Sequence, residues 1–505
     1  MPGLRLIGHQ NTYPVSDILR LFFGVPRLAE PDLFIAGSAD PLIISRLEAA
    51  GADLVKITTG MPDREISSIV AAVQARREIK RQLYQLLADW TGCYFPWGSL
   101  TGIRPTQVAA ESLRRTGSEQ AAGDELTGHW FVSPEKASLA IETARAEQAL
   151  LDRIPPDQVM VYLGIPFCPS RCAYCSFIAQ DALHHAQLLE PYVEAVIRET
   201  RTFFHRFNRP VSALYIGGGT PTSLSDPLFH RLLTGVLPEL PLSPDAELTI
   251  EAGRPDTISE AKLDMIRQAG ATRLCINPQT FHDATLERIG RRHTVEETLT
   301  AYRLARSMGF NRINMDLIAG LPGESPDDFA DSLNQALALA PDSITLHTLA
   351  MKRSSRLYQE QMQNQRRQDA ETLPESSATA LPPVHRPDPG LAAMLEQGRR
   401  TLADAGLLPY YLYRQKDVAG GLENTGFARP GEGCRYNVGM MSDQRTVIGL
   451  GSGAMTKWVE GSRVERAPNP RDIGNYISRV DELAECKIEL FQKSERPQVN
   501  PNAAG

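Results

Sequence analysis

"VMVYLGIPFCPSRCAYC" (residues 159–175) runs from a seven-residue apolar stretch straight into three cysteines. VMVYLGI does not alternate polar and apolar residues, which predicts a strand buried on both faces, as in a parallel sheet. Cys168, Cys172 and Cys175 then occupy three of eight consecutive positions, in a chain of 505 residues with only seven cysteines. So short a loop brings three thiolates to one place. The spacing C-x3-C-x2-C leaves a four-ligand metal cage one ligand short.

The same strand pattern recurs five times downstream, in SALYIGGGT (212–220), AELTIEA (246–252), TRLCINPQT (272–280), NRINMDLIAG (311–320) and DSITLHTLA (342–350). Between these runs lie segments of helical period, such as LLEPYVEAVIRETRTFFHRF (188–207), ISEAKLDMIRQAG (258–270) and TVEETLTAYRLARSMG (294–309). Six strand-then-helix repeats predict a parallel sheet, curled into a barrel that need not close. Each strand ends in something small, polar or metal-binding: the cysteine loop, Gly217-Gly218-Gly219-Thr220, Glu251, Gln279, Asp316 and the stretch from His347 to Ala350. In parallel α/β barrels the carboxyl ends of the strands form the active face, so six such ends argue for one shared cavity.

The fold class expected is α/β: a partial (β/α)6 barrel of TIM type, with an N-terminal α+β domain and a mostly helical C-terminal domain. The expected boundaries are 1–150 for the accessory domain, 155–354 for the barrel, 355–390 for a flexible insertion, 391–490 for the C-terminal domain and 491–505 for a disordered tail. REISSIVAAVQARREIKRQLYQLLADW (64–90) reads as one long amphipathic helix through Ile66, Ile69, Val70, Val73, Leu83, Leu87 and Trp90. Pro105 is placed to open another helix. LLDRIPPDQ (150–158) reads as a linker.

Composition excludes several classes. With a net charge of −7 there is no global basic field, so no nucleic-acid partner is expected. No apolar run is long enough for a membrane span, and the N-terminus lacks the pattern of a signal peptide. An odd number of scattered cysteines does not suit a disulfide framework. The expected location is cytoplasmic, where thiols stay reduced and can bind metal.

Thiolates select zinc or iron–sulfur clusters. A zinc knuckle would need a distant fourth ligand, since Cys93, Cys275, Cys434 and Cys486 stand alone. A redox C-x2-C pair would leave a spare thiol. A [4Fe–4S] cluster held by three cysteines has one iron free to chelate an amine and a carboxylate, such as the methionyl end of S-adenosylmethionine. An electron entering the sulfonium would then break a C–S bond and release a 5′-deoxyadenosyl radical.

This triplet, after the first strand of a six-strand α/β series, resembles the signature of the radical S-adenosylmethionine superfamily. VYLGIPFCPSRCAYC, YIGGGTPTSL, INPQTFHDATLERIGRRH and NMDLIAGLPGE are similar to the oxygen-independent coproporphyrinogen III dehydrogenase family and its haem-chaperone cousins. TGIRPT and PYYLYRQK…GLENTGFARPGEGCRYNVGMM resemble the longer, coproporphyrinogen dehydrogenase-like branch with an extra N-terminal domain. The resemblance implies a [4Fe–4S] cluster on Cys168, Cys172 and Cys175. It implies S-adenosylmethionine against Tyr162, Tyr174, Gly218, Gly219, Thr220, Glu251, Gln279, Arg291, Asp316, Ala350 and Met455. Several have a plainer reading: Tyr162 as a core aromatic, Glu251 as a salt-bridge partner of a neighbouring helix, and G-x-G-x-x-A at Gly449–Ala454 as a glycine turn without the βαβ unit of a dinucleotide site. Arg104, Arg292, Arg414 and Lys416 are candidates for substrate propionates by loop position alone.

The implied reaction is oxidative decarboxylation of coproporphyrinogen III propionates to vinyls, giving protoporphyrinogen IX. The implied partners are a tetrapyrrole substrate and a low-potential electron donor of flavodoxin or ferredoxin type. Two departures keep alternatives open. Ser176-Phe177 stands where the decarboxylating branch has a fourth cysteine in C-x-C, which is the ending of the chaperone branch. Yet Tyr436-Asn437-Val438-Gly439-Met440-Met441 stands where haem chaperones carry H-N-x-x-Y-W. A haem chaperone and a radical enzyme on another substrate are the alternative expectations.

Overall fold

Residues 64–90, expected to be one helix, divide in the computed structural model into a strand, Arg64–Ala71, a single 3-10 turn and a helix, Ala75–Thr91. The helical period is real only for the second half, where Leu83 and Leu87 are buried. In the first half the β-branched Ile66, Ile69 and Val70 favour extended backbone, and a complete antiparallel partner is available next door. Pairing from Leu54↔Ala71 to Met61↔Arg64 closes a hairpin over Pro62-Asp63. Ile69 and Val73, expected on the apolar stripe, are 61% and 91% exposed.

The structure describes residues 3–10, 12–24, 26–30, 32–35, 42–102, 104–175, 180–350, 355–357, 359–360, 388–415, 418–461 and 463–495. Most of the expected insertion 355–390, together with Ser176, Phe177 and Lys416, lies outside them. The last helix, Val480–Glu495, continues into the stretch expected to be a disordered tail; 496–505 lie outside the described residues.

The chain divides into two units. The first takes Met1–Arg145, His347–Thr401 and Leu412–Thr425, and so is not the contiguous segment 1–150. Buried bonds show why the later segments join it: Glu423 accepts from Trp97 Nε1 at 2.7 Å and from Lys136 Nζ. Its sheet contains β1 (Gly3–Ile7), β2 (Arg27–Glu30), β3 (Leu33–Ile35), β4 (Leu42–Ala49), β5 (Leu54–Met61) and β6 (Arg64–Ala71). The order is β2-β3-β1-β4-β5-β6, with β1 and β4 parallel. Helices Tyr13–Phe23 and Ala75–Thr91 cover it, burying Val15, Ile18, Phe22, Leu83 and Leu87 against Leu4, Ile43 and Ile57. Pro105 does open a helix, Pro105–Thr116.

The second unit takes Ala146–Leu346, Leu402–Tyr411 and Gly426–Gly505. Its strands begin with β7 (Val159–Ile165), β8 (Phe167–Cys168), β9 (Gln180–Asp181), β10 (Val211–Gly218) and β11 (Leu242–Glu251). They continue with β12 (Arg273–Cys275) and β13 (Ile313–Ala319), then β14 (Ser343–Thr348), β15 (Leu408–Tyr413) and β16 (Asn424–Ala428), each of which has some residues counted in the first unit. The last three are β17 (Val447–Leu450), β18 (Met455–Glu460) and β19 (Arg463–Pro468). The main sheet runs β15-β16-β14-β13-β12-β11-β10-β7-β17-β18-β19. The six expected strands are neighbours in chain order, the arrangement of a partial barrel, with the pairings from β7 to β13 parallel.

The return helices are delimited by their own sequence. Ser259 caps Glu260–Gln268 by accepting from Lys262 N. Thr294 with Glu297, and Ser325 with Asp328, form reciprocal capping boxes on Val295–Ser307 and Pro326–Ala338. At the other end of the sheet β17 adds parallel to β7, while Gly451 and Gly453 turn the chain back into antiparallel β18. Gly449–Ala454 is therefore a hairpin, in agreement with the glycine-turn reading.

Candidate active site at the strand ends

The cysteine loop leaves β7 through Pro166 and is pinned at several points. Phe167 is buried edge-on against Tyr192, and β8 pairs with β9 as Cys168↔Asp181. Ala173 N donates to Ile289 O at 2.8 Å, and Cys175 N to Cys172 O at 3.1 Å. Cys168 Sγ lies 3.5 Å from Thr220 Oγ1. Burial pushes the Cys168 thiol up to about 12, against the pull of that hydroxyl. A metal would reverse this, because a ligating thiol must be deprotonated. Among the described residues no three His, Cys, Asp or Glu side chains converge closely enough to hold a single metal ion. Thiolates on separate irons of a cube need not converge on one point.

The glycines after β10 permit close backbone approach. A Cβ on Gly217 would stand 2.6 Å from Glu251 Cδ, one on Gly218 2.8 Å from the Tyr162 hydroxyl, and one on Gly219 2.5 Å from Phe167 O. Gly218 also has φ +107°, a region that suits glycine. Thr220 N donates to Phe167 O at 2.7 Å, bracing the glycine turn against the cysteine loop. Glu251 accepts from Gly218 N at 3.1 Å and from Tyr215 OH at 2.5 Å. It is therefore engaged at the strand ends. Tyr162, Tyr215 and Tyr436 stack, with the Tyr215–Tyr436 centroids 4.7 Å apart. Burial, then the Glu251 charge, holds the Tyr162 phenol above its ordinary range.

Beyond β12 several buried polar atoms lack hydrogen-bond partners. Gln279 has φ +72°, unusual for a side-chain-bearing residue, and its Oε1 is buried with no hydrogen bond. Its backbone is tied to β13 through Asp316 O at 2.9 Å and Ile318 N at 3.0 Å. Asn277 Oδ1, Arg291 Nε and both ring nitrogens of His293 are likewise buried and unpartnered. Arg291 Nη2 donates to Gly253 O at 2.8 Å and Asn277 O at 2.7 Å, and Nη1 reaches Tyr174 OH at 3.3 Å. Asp316 accepts from Asn314 Nδ2 at 2.7 Å.

Met455 opens β18 with its backbone against Gly449, which pairs with Tyr162 across β17 and β7. Ala350 is counted with the first unit, where it bridges to Val418. Of the propionate candidates, Arg414 is occupied by the carbonyls of Leu100 and Gly421 in the first unit, Arg292 is exposed and Arg104 precedes the helix at Pro105.

The Radical SAM superfamily pattern matches residues 162–336. The chain is 33% identical over 496 residues to the oxygen-independent coproporphyrinogen-III oxidase-like protein HemZ of Bacillus subtilis, spanning 95% of each chain. This chain belongs to the coproporphyrinogen oxidase-like branch of the radical SAM superfamily. Heme chaperone HemW of Escherichia coli is 31% identical over 67% of this chain and 82% of its own. Among solved structures, coproporphyrinogen III oxidase HemN of Escherichia coli, a radical SAM enzyme, aligns with a TM-score of 0.50 at 25% identity, over 68% of this chain and 73% of its own.

Radical SAM proteins use a [4Fe–4S] cluster and S-adenosylmethionine. The strand ends fit that pair: three thiols on one pinned loop, a glycine cradle that any Cβ would fill, and orphaned polar atoms on Asn277, Gln279, Arg291 and His293. Arg254, Asn277, His293 and Tyr215 were not singled out from the sequence, and Tyr436 was named only as the start of the stretch that departs from the chaperone H-N-x-x-Y-W. Arg254 stands three residues after Glu251 in GRPD, and His293 closes GRRH, which begins at Gly290.

Proposed function

We propose that the chain is a radical S-adenosylmethionine oxidoreductase of porphyrin biosynthesis that decarboxylates propionates of coproporphyrinogen III to vinyls, giving protoporphyrinogen IX. The observation that carries this reading is the relationship to a coproporphyrinogen-III oxidase-like protein along 95% of both chains, well beyond the barrel. When bound, the cluster and S-adenosylmethionine would supply a radical able to take a propionate hydrogen, and the vinyl would form as the propionate loses CO2 and passes one electron to an external one-electron acceptor.

The chain's own residues would bind and orient. Cys168, Cys172 and Cys175 would hold the cluster. Gly218 and Gly219 offer backbone to the amino-acid end of the ligand, Thr220 a hydroxyl, and Glu251 a carboxylate for an ammonium or ribose hydroxyl. Gln279, Arg291 and Asp316 would complete the polar contacts, with Tyr162 and Tyr174 as flanking rings and Met455 from β18. The second unit, which holds β7 and β10 to β13, would carry the chemistry. A flavodoxin or ferredoxin type protein in the cytoplasm would supply electrons.

Anaerobic reconstitution followed by chromatography of the porphyrins tests the reading. Protoporphyrinogen formation is expected. Cleavage of S-adenosylmethionine with coproporphyrinogen returned unchanged removes it. The chaperone reading is favoured by Ser176 and the likeness to HemW, but Tyr436, buried in the aromatic stack, begins the stretch where chaperones carry H-N-x-x-Y-W. A Soret shift on titrating haem into micromolar protein, with no porphyrin product, would select it.

A further inference from the structure

Arg254, three residues after Glu251, is 3% exposed and spreads its guanidinium between two groups. Nε and Nη2 each donate at 2.9 Å to the two carboxylate oxygens of Asp256, which fixes the guanidinium plane. Nη1 points the other way, into the cysteine loop: it donates to Ser170 Oγ at 3.1 Å, to Ser170 O at 3.5 Å and to Cys172 Sγ at 3.9 Å. Ser170 lies between Cys168 and Cys172. A buried, permanently charged donor is thus held against one thiol of the triplet, with its orientation set by a carboxylate on its far side.

We propose that Arg254 tunes the reduction potential of the cluster carried by Cys172. This rests on the reading that the three cysteines hold a [4Fe–4S] cluster. Reduction places one electron from the donor protein onto the cluster. A fixed positive charge and an N–H bond to a ligating sulfur stabilise the more negative state and raise the potential. Arg254 is a positioning and tuning residue: it touches a ligand, not the substrate. Arg254 thereby sets how readily a low-potential donor can deliver its electron.

The test is a redox titration, read by electron paramagnetic resonance, of reconstituted wild type, Arg254→Gln and Arg254→Lys, with iron and sulfide counted in each. At the wild-type midpoint the reduced-to-oxidised ratio in Arg254→Gln should fall at least tenfold, about 59 mV for one electron. Arg254→Lys, which keeps the charge but loses the fork, should fall between. An unchanged midpoint in Arg254→Gln overturns the proposal. If that variant alone loses its cluster, Arg254→Lys decides: a lower midpoint supports the proposal, an unchanged one overturns it. Loss of the cluster from both variants makes Arg254 a brace of the loop and also overturns it. A wild type that binds no iron removes the cluster reading itself, and this inference with it.

Discussion

Gly218 donates its backbone N–H to Oε2 of Glu251 across 3.1 Å, joining the ends of β10 and β11 at the point where the chain departs from ordinary backbone angles. The bond needs bare backbone there, since a Cβ on Gly218 would press on the Tyr162 hydroxyl at 2.8 Å and one on Gly217 on the Glu251 carboxyl at 2.6 Å. Glycine composition, carboxylate position and tyrosine packing are one feature of the site.

Gly218→Ala should therefore cost about 1–3 kcal/mol of folding stability from backbone strain. It should also lower S-adenosylmethionine affinity at least tenfold. Denaturant unfolding and equilibrium binding measure the two, and unchanged affinity would show that the cradle does not receive the ligand.

Glu251→Gln loses the charge and one of the two acceptors, since Tyr215 OH bonds Oε1 and Gly218 N bonds Oε2. The difference between charged and neutral hydrogen bonds, roughly 1–2 kcal/mol, predicts about tenfold weaker S-adenosylmethionine binding with the cluster retained. Isothermal titration of the reconstituted protein reads the affinity.

Replacing Cys168, Cys172 or Cys175 singly by alanine should abolish cluster iron. Cys486→Ser, at an exposed thiol on the last helix, should leave it at the wild-type level. Iron and acid-labile sulfide analysis distinguishes the two groups, and equal iron in both would rule out the triplet as the cluster site.

His293 is 2% exposed, and burial, then the Arg291 and Arg254 charges, depresses its pKa to about 2 from 6.5. Between those values the unfolded chain binds the extra proton, so stability rises with pH. Stability held above pH 6.5 is lost as pH falls toward about 2. One proton limits the slope to about 1.4 kcal/mol per pH unit. His293→Gln should flatten urea-derived stability between about pH 6 and pH 4, whereas parallel curves would exclude the linkage.

Glu199 and Lys487 form a buried ion pair; Glu199 also accepts from Gly451 N at 2.8 Å and Tyr476 OH at 2.7 Å, and Lys487 donates to Gly449 O at 2.6 Å. Lys487→Met leaves the carboxylate without its charge partner and should cost about 3–5 kcal/mol. Glu199→Gln combined with Lys487→Met should recover part of the loss, as measured by chemical denaturation.

Much of the second unit was legible in the sequence because its signals are local. A strand buried on both faces must be apolar throughout, so the six runs and their order could be read residue by residue, and the caps Ser259, Thr294 and Ser325 mark where their helices begin. The cysteine triplet was legible for the same reason: its three thiols are neighbours in sequence. Arg64–Ala71 was not, since its apolar spacing suits helix or strand and the choice fell to β5, a partner outside the segment. Nor was the assembly of the first unit from three chain segments, which depends on buried bonds such as Trp97–Glu423 between residues far apart in sequence. Arg254 was an ordinary charge in GRPD until folding brought it to Cys172. Local periodicity determines which segments can form elements, whereas the partner of a buried charge or an edge strand is set by which distant segments meet it, and that is a property of the folded chain.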